Sequence, residues 1–248
     1  MEENKITSLN NPIVKEVYSL QQKKYRDEEG LIILEGEKLI EGAIETGLSF
    51  KYAFMLEPSK LNFDCKTYYV NEKVMNKIST TPSSPKIIGI AKKPENNSGK
   101  FDKFKRIILL DSIKDGGNLG TIIRTSAAFG VDGIILYGDC VDFYSPKVLR
   151  SSVGTIFKLP VCHIKNISEL ERFKKKFKFI STIVNSKNEI KNIDFSNPYI
   201  MMFGSEANGL SKELLKLSDF DFTLKMKNNV ESLNLSMSVG ICLWEAMK

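Results

Sequence analysis

From Arg106 onward the chain alternates short, strongly apolar runs with helical stretches, and this alternation limits the fold more than any other feature. "RIILLD", "GIILYG", "TIFKLPVC", "KFISTIV", "YIMMFG" and "FDFTLKM" read as strands. Between and after them lie a helix following Gly120, then "PKVLRSSVG", "SELERFKKKF", "SKELLKL" and "LNLSMSVGICLWEAMK", which read as helices. Strands this apolar need cover on both faces, so the pattern predicts an α/β fold with a parallel sheet between helices. Residues 1–95 alternate too. The helix "NPIVKEVYSLQQKKYR", strand "LIILEG", helix "EKLIEGAIETG", strands "KYAFML" and "KTYYV", short helix "NEKVMNKIS" and strand "KIIGIAKKP" form a small α/β unit. The polar, Lys-rich "KKPENNSGKFDKFK" reads as a linker. The expected organisation is a domain over 1–95, a linker over 96–105 and a second domain over 106–248.

Composition removes several function classes. The 248 residues, 42% apolar, can bury one large core or two modest ones. No run approaches the eighteen or so apolar residues needed to cross a bilayer, and "MEENKITSLN" lacks a signal-peptide core, so a cytoplasmic protein is expected. Cys65, Cys140, Cys162 and Cys242 are scattered and read as reduced thiols in or near the core; with only His163 as co-ligand, no metal site is suggested. His163 itself reads as a strand-end surface group, which argues against a serine or cysteine triad. Basic residues exceed acidic ones by 36 to 30, a formal charge of +6. They cluster at "QQKKYR", "AKKP", "GKFDKFKR" and "ERFKKKFKF". The last reads as a solvated helix face, and the N-terminal clusters point to a polyanion, with nucleic acid the natural candidate.

Ligands on parallel sheets bind beyond the carboxyl ends of strands, so the loops after strands are the place to look. "DGGNLGTIIRTSAAFG" has neither the GxGxxG spacing nor a Walker lysine, which leaves a tight turn, Asn118 as a cap or ligand-binding group, and Arg124 in the helix. The same absence makes an NTPase or a nucleotide-dependent oxidoreductase remote. "FGSEANGLS" runs an apolar strand into Gly204, Glu206 and Gly209, where small residues let a flat ligand approach the backbone. In "LKMKNNVESLNLSMSVG" a polar loop leads to Ser232, Leu233 and Asn234, then to a helix whose small residues suit a buried or subunit-interface position.

"NLGTIIRTSAAFG", "GSEANGLS" and "VESLNLSMSVGICLWE", in this order and at these separations, resemble the three motifs of the SpoU (TrmH-like) family of RNA ribose 2'-O-methyltransferases, within the SPOUT superfamily. The N-terminal part resembles, more loosely, the small substrate-binding domain of these enzymes through "ITSLNNPIVKEVYSLQQKKYR" and "LIILEGEKLIEGAI". The resemblance implies S-adenosylmethionine as cofactor, a homodimer formed through the C-terminal domain, and a deep C-terminal trefoil knot. No periodicity argument could supply the knot, because ordinary topology avoids threading. Carried over residue by residue, the catalytic set falls on Asn118, Arg124, Glu206, Ser232 and Asn234, and cofactor binding on Gly204, Leu224 and Leu233. Lys225 stands where family members often have proline, and a lysine there would favour RNA phosphate.

The implied reaction is in-line attack of a ribose 2'-hydroxyl on the sulfonium methyl, with no metal and no covalent enzyme intermediate. Two roles are open for Arg124: a base assisted by an RNA phosphate, or a fixed cation that orients the phosphate and stabilises the forming alkoxide. By resemblance the substrate is structured ribosomal RNA, most readily 23S. The alternatives are transfer RNA, or a non-catalytic RNA-binding or ribosome-assembly protein with the same fold.

Overall fold

The computed structural model describes residues 4–95, 98–228 and 232–248. Contacts divide the chain into two units, Met1–Glu95 with Asp142–Phe157, and Asn96–Val141 with Lys158–Lys248.

The first unit is built on strands β1 (Lys5–Ile6), β2 (Leu31–Glu35), β3 (Phe50–Met55), β4 (Lys66–Val70) and β5 (Ile87–Lys92), in the order β1-β4-β3-β5-β2. β1 and β3 run parallel to β4, whereas β5 is antiparallel to both β2 and β3. The helices are α1 (Pro12–Ser19), α2 (Lys23–Glu29), α3 (Glu37–Glu45) and α4 (Glu72–Ile78). The expected single helix "NPIVKEVYSLQQKKYR" is thus two, because Gln22 is extended. The Arg26 guanidinium accounts for the break: Nη1 donates to the Leu20 and Gln21 carbonyls at 2.9 and 2.8 Å, satisfying acceptors that the end of α1 leaves free. Arg26 also pairs with Asp142 at 2.6 Å in a buried contact, so it is a structural cation rather than part of a phosphate-binding cluster.

The second unit starts with β6 (Arg106–Asp111), α5 (Gly116–Ala128) and β7 (Gly133–Tyr137). The next helix, α6 (Pro146–Ser152), falls in the segment that packs with the first unit, where Arg150 Nη1 donates to Glu35 Oε2 at 2.8 Å. The second unit continues with β8 (Val161–Ile164), α7 (Ile167–Glu171), β9 (Lys178–Thr182), β10 (Tyr199–Phe203), α8 (Lys212–Leu217), β11 (Phe220–Phe222) and α9 (Leu235–Ala246). Its six strands form one wholly parallel sheet, ordered β11-β9-β10-β6-β7-β8, as the apolar runs predict. Every residue of β7 and β10 is buried.

Local differences from the sequence reading have identifiable causes. "TIFKLPVC" is a strand only from Val161, just past Pro160, which lacks the N–H a ladder needs; Thr155–Phe157 is a 3-10 turn. "SELERFKKKF" is helical only to Glu171 and then tightens into a 3-10 turn over Arg172–Lys175. Phe173 and Phe177 still meet edge-to-face at 5.9 Å in the core. Within the stretch expected to be a linker, Ser98–Lys103 forms a 3-10 turn whose Phe101 is fully buried in that same core. His163 is half-buried, its Nε2 2.7 Å from the Gly138 carbonyl, and so is not a surface group. Acidic and basic residues nearly balance in the first unit; the excess of basic ones lies in the second.

Candidate active site

The carboxyl ends of six parallel strands share one edge, and β10 meets its loop there. Gly204 ends the apolar strand because nothing larger fits: a Cβ on it would stand 1.9 Å from the Gly209 carbonyl carbon and 2.2 Å from the Leu210 nitrogen. The chain folds back on itself across this point. Ser205 N donates to Gly209 O at 3.2 Å and Gly209 N to Ser205 O at 2.8 Å, with Gly209 at φ 65°. Asn208 N also donates to the Ser205 hydroxyl, at 3.2 Å. Glu206 projects from the tip of this tight loop, exposed.

Facing it is α5, whose first turn is capped by Asp115, not Asn118: Asp115 Oδ1 accepts from Asn118 N at 2.8 Å. The Asn118 side chain is therefore free for other work. Its Nδ2 donates to Glu206 Oε1 at 2.7 Å, and its Oδ1 accepts from Asn234 Nδ2 at 2.9 Å. The direction of this chain is fixed at its far end. Asn234 is the N-cap of α9, its Oδ1 accepting from Ser236 N at 3.0 Å and Ser236 Oγ at 2.6 Å, which leaves only its Nδ2 to point at Asn118. Three of the expected catalytic residues, from the first turn of α5, the N-cap of α9 and the loop after β10, thus form one relay: Asn234 to Asn118 to Glu206.

A cavity of 840 Å³ opens at this edge, lined by Gly204, Glu206, Leu224, Ser232 and Leu233 among others. Its volume suits a nucleoside-sized ligand. Apolar side chains around it are left uncovered: Val184 is 73% exposed, Leu215 41% and Leu233 36%. Thr182 Oγ1, also on the lining, is buried without a hydrogen-bond partner among the described residues. Exposed leucines beside an unsatisfied hydroxyl fit a flat, partly polar ligand such as an adenine nucleoside. The expected cofactor residues Gly204, Leu224 and Leu233 all lie here.

Arg124 and Ser232 stand outside the relay. Ser232 lines the cavity and is exposed. Arg124 is exposed on α5, with no hydrogen bond or ion pair among the described residues. Lys225 is exposed and pairs with Glu189; Lys191 and Lys225 together hold the Glu189 carboxyl down to about 2. The sequence reading passed over Asp111, buried at the end of β6. Asp111 Oδ2 accepts from Ser211 N at 2.7 Å and its Oδ1 from the Ser112 hydroxyl at 2.8 Å, joining the exits of two site loops. An acidic residue closing the otherwise apolar run "RIILLD" was the available signal.

Comparison with known proteins shows the family. The model of the SpoU rRNA Methylase family matches residues 105–244, and that of the MRM3-like substrate binding domain matches residues 11–89. A protein of Synechocystis named as an uncharacterized tRNA/rRNA methyltransferase is 35% identical, the match covering 98% of this chain and 93% of that protein. The Bacillus subtilis 23S rRNA (guanosine(2553)-2'-O)-methyltransferase RlmP is 27% identical, over 96% and 97% of the two chains. Among solved structures, an AdoMet-bound rRNA methyltransferase from Sinorhizobium meliloti superposes with a TM-score of 0.88 at 31% identity, covering 98% of this chain and 96% of that one. A parallel sheet with three motif loops gathered at its carboxyl edge, matched over its length by these relatives, places the chain in the SpoU rRNA methylase family.

Proposed function

We propose that this protein is a ribose 2'-O-methyltransferase that uses S-adenosylmethionine and acts on ribosomal RNA, as the named relatives do on 23S rRNA. The observation that carries the reading is the relay from Asn234 through Asn118 to Glu206 at the rim of the cavity. When bound, S-adenosylmethionine supplies an already activated methyl group. The chain's task is then alignment and charge management. Gly204, Leu224 and Leu233 would hold the cofactor, Gly204 by letting the 205–209 loop close tightly at the cavity wall and the two leucines by offering apolar surface to the adenine. Asn118, Asn234 and Glu206 hold two loops and the start of α9 in one geometry, and Ser232 faces the same space. Arg124 acts as a fixed cation: a guanidinium keeps its proton in proteins, so it steadies the phosphate and the forming alkoxide, and the hydroxyl proton is released to solvent water rather than to Arg124.

The first unit, with its substrate-binding-domain match, serves as the RNA-binding part. A second copy of the chain covers α9, whose Met237, Ile241 and Trp244 form an exposed apolar stripe at helical spacing. The C-terminal segment is threaded as the trefoil knot of the superfamily, and the protein works in the cytoplasm. No helix among the described residues is long and apolar enough to cross a membrane.

The test uses Asn234→Asp. An aspartate still caps α9 but cannot donate to Asn118, so folding and S-adenosylmethionine binding persist while methyl transfer to rRNA falls at least tenfold. Transfer at the wild-type rate would remove the relay from the mechanism. For Arg124→Lys, a tenfold or greater loss with an unshifted pH–rate profile supports the fixed cation, whereas a profile shifted toward the lysine range identifies a base.

A further inference from the structure

Two lysine-rich segments far apart in the chain meet at the amino edge of the parallel sheet. Lys100 and Lys103 lie on the 3-10 turn Ser98–Lys103, and Lys105 follows it; Lys175 and Lys176 lead to Lys178 at the start of β9. Lys178 N donates to the Pro198 carbonyl at 2.9 Å, and Tyr199 N donates to the Lys105 carbonyl at 2.8 Å. Lys178 and Lys105 therefore flank the start of β10 on its two neighbouring strands, with backbones roughly 10 Å apart. Lys176 Nζ donates to the Asp102 carbonyl at 2.6 Å and fastens the turn to this edge, while Phe101 and Phe177 share the core beneath. All six lysines are exposed, and Lys178 lies near enough to Asp219 to help hold its carboxyl below the usual range. The nearby Lys174, by contrast, is committed to Asp219 at 2.6 Å. Asp102 and Glu171 are the exposed acids in the same two segments, and the carboxylates of Asp132 and Asp219 also sit here, accepting from Lys105 N and Arg106 N and from Phe179 N; basic side chains outnumber these four acids and leave the edge net positive.

We propose that this edge is a second contact for the RNA substrate, gripping the phosphodiester backbone at the pole opposite the cavity; it rests on the RNA-modifying reading above. Lysines act on phosphate as point charges and do not select bases, and neutralising several phosphates releases counterions. An acidic protein surface fits less well, because Phe101, Phe173 and Phe177 in these two segments are turned into the core and it is the lysines that face outward from them. Strands of this length set the two edges roughly 17–20 Å apart. Only an RNA that extends well beyond its methylated nucleotide reaches both, which matches a large folded rRNA.

The test compares the wild type with Lys103→Gln/Lys105→Gln/Lys175→Gln/Lys178→Gln. The probe is full-length, protein-free 23S rRNA transcribed in vitro. Binding is measured across a salt series, and methyl transfer at subsaturating and saturating RNA. The expected result is binding weakened about tenfold or more, with the slope of log affinity against log salt reduced by about 0.7–0.9 for each phosphate that the variant no longer neutralises. The apparent KM for RNA rises while kcat, melting temperature and S-adenosylmethionine affinity stay at wild-type values. Unchanged RNA affinity and salt slope would overturn the proposal, as would patch-dependent binding of polyglutamate with no effect on RNA. Failure of the wild type to methylate any rRNA would instead overturn the enzymatic reading, and the binding series would still report on the patch.

Discussion

At the residue scale, single contacts set the site's geometry. Gly204 is the sharpest case, because a Cβ there collides with backbone, not with a side chain that could swing aside. Gly204→Ala displaces the 205–209 loop, and we expect a loss of about 1–3 kcal/mol in stability. S-adenosylmethionine affinity measured by calorimetry should weaken at least tenfold; affinity within twofold of wild type would count against the cradle. Tyr137 is a second fixed point, its hydroxyl donating to Glu213 on α8 at 2.5 Å. Burial, and then this bond, push its pKa well above the ordinary value near 10. The folded chain thus holds the proton more tightly than the unfolded chain does. The contribution is complete below pH 10 and is lost as the pH rises beyond it. Tyr137→Phe should cost about 1 kcal/mol at neutral pH, Glu213 being exposed, and flatten the decline in stability above pH 10. Denaturant titrations across that range check both statements.

At the scale of elements, hydrophobic period made the second unit's sheet legible. β6, β7 and β10 are five or six residues long with at least four consecutive apolar ones, lack polar alternation, and pair in parallel register, as continuous apolar runs predict. Helix ends were less legible where a tertiary contact decides them. The split between α1 and α2 depends on Arg26 reaching back to the Leu20 carbonyl, and nothing local in "SLQQKKYR" announces that. Removing that guanidinium leaves the α1 carbonyls unsatisfied and Asp142 buried without its partner. Arg26→Ala should therefore destabilise the protein by about 3 kcal/mol or more, read as a lowered urea midpoint. The site was legible as a set of residue types in three ordered loops. Its wiring was not, because whether Asn118 caps α5 or joins a relay depends on Asp115 taking the cap first and on Asn234 arriving from a loop more than a hundred residues later.

At the scale of the whole molecule, the strand order β11-β9-β10-β6-β7-β8 was beyond the sequence's reach, since apolar runs carry no record of which neighbour they choose. Nor does the sequence announce that 142–157 joins the first unit, where the Arg26–Asp142 and Glu35–Arg150 pairs link residues more than a hundred positions apart. The exposed stripe on α9 belongs to the same scale. Trp244, 56% exposed, packs edge-on to Phe129 at 6.3 Å and carries the Lys248 ammonium 5.7 Å over its ring. Trp244→Glu on the proposed dimer surface should shift the protein to a monomer in analytical ultracentrifugation, and an unchanged sedimentation coefficient would place the interface elsewhere.

The central claim is that this site transfers a methyl group to a ribose of ribosomal RNA, and its most direct test maps 2'-O-methyl groups across total rRNA from cells with the gene, without it, and complemented by Asn234→Asp. We expect one 2'-O-methyl position in rRNA to disappear on deletion and to stay absent, or nearly so, with the variant. An rRNA methylation map identical in all three strains would contradict it.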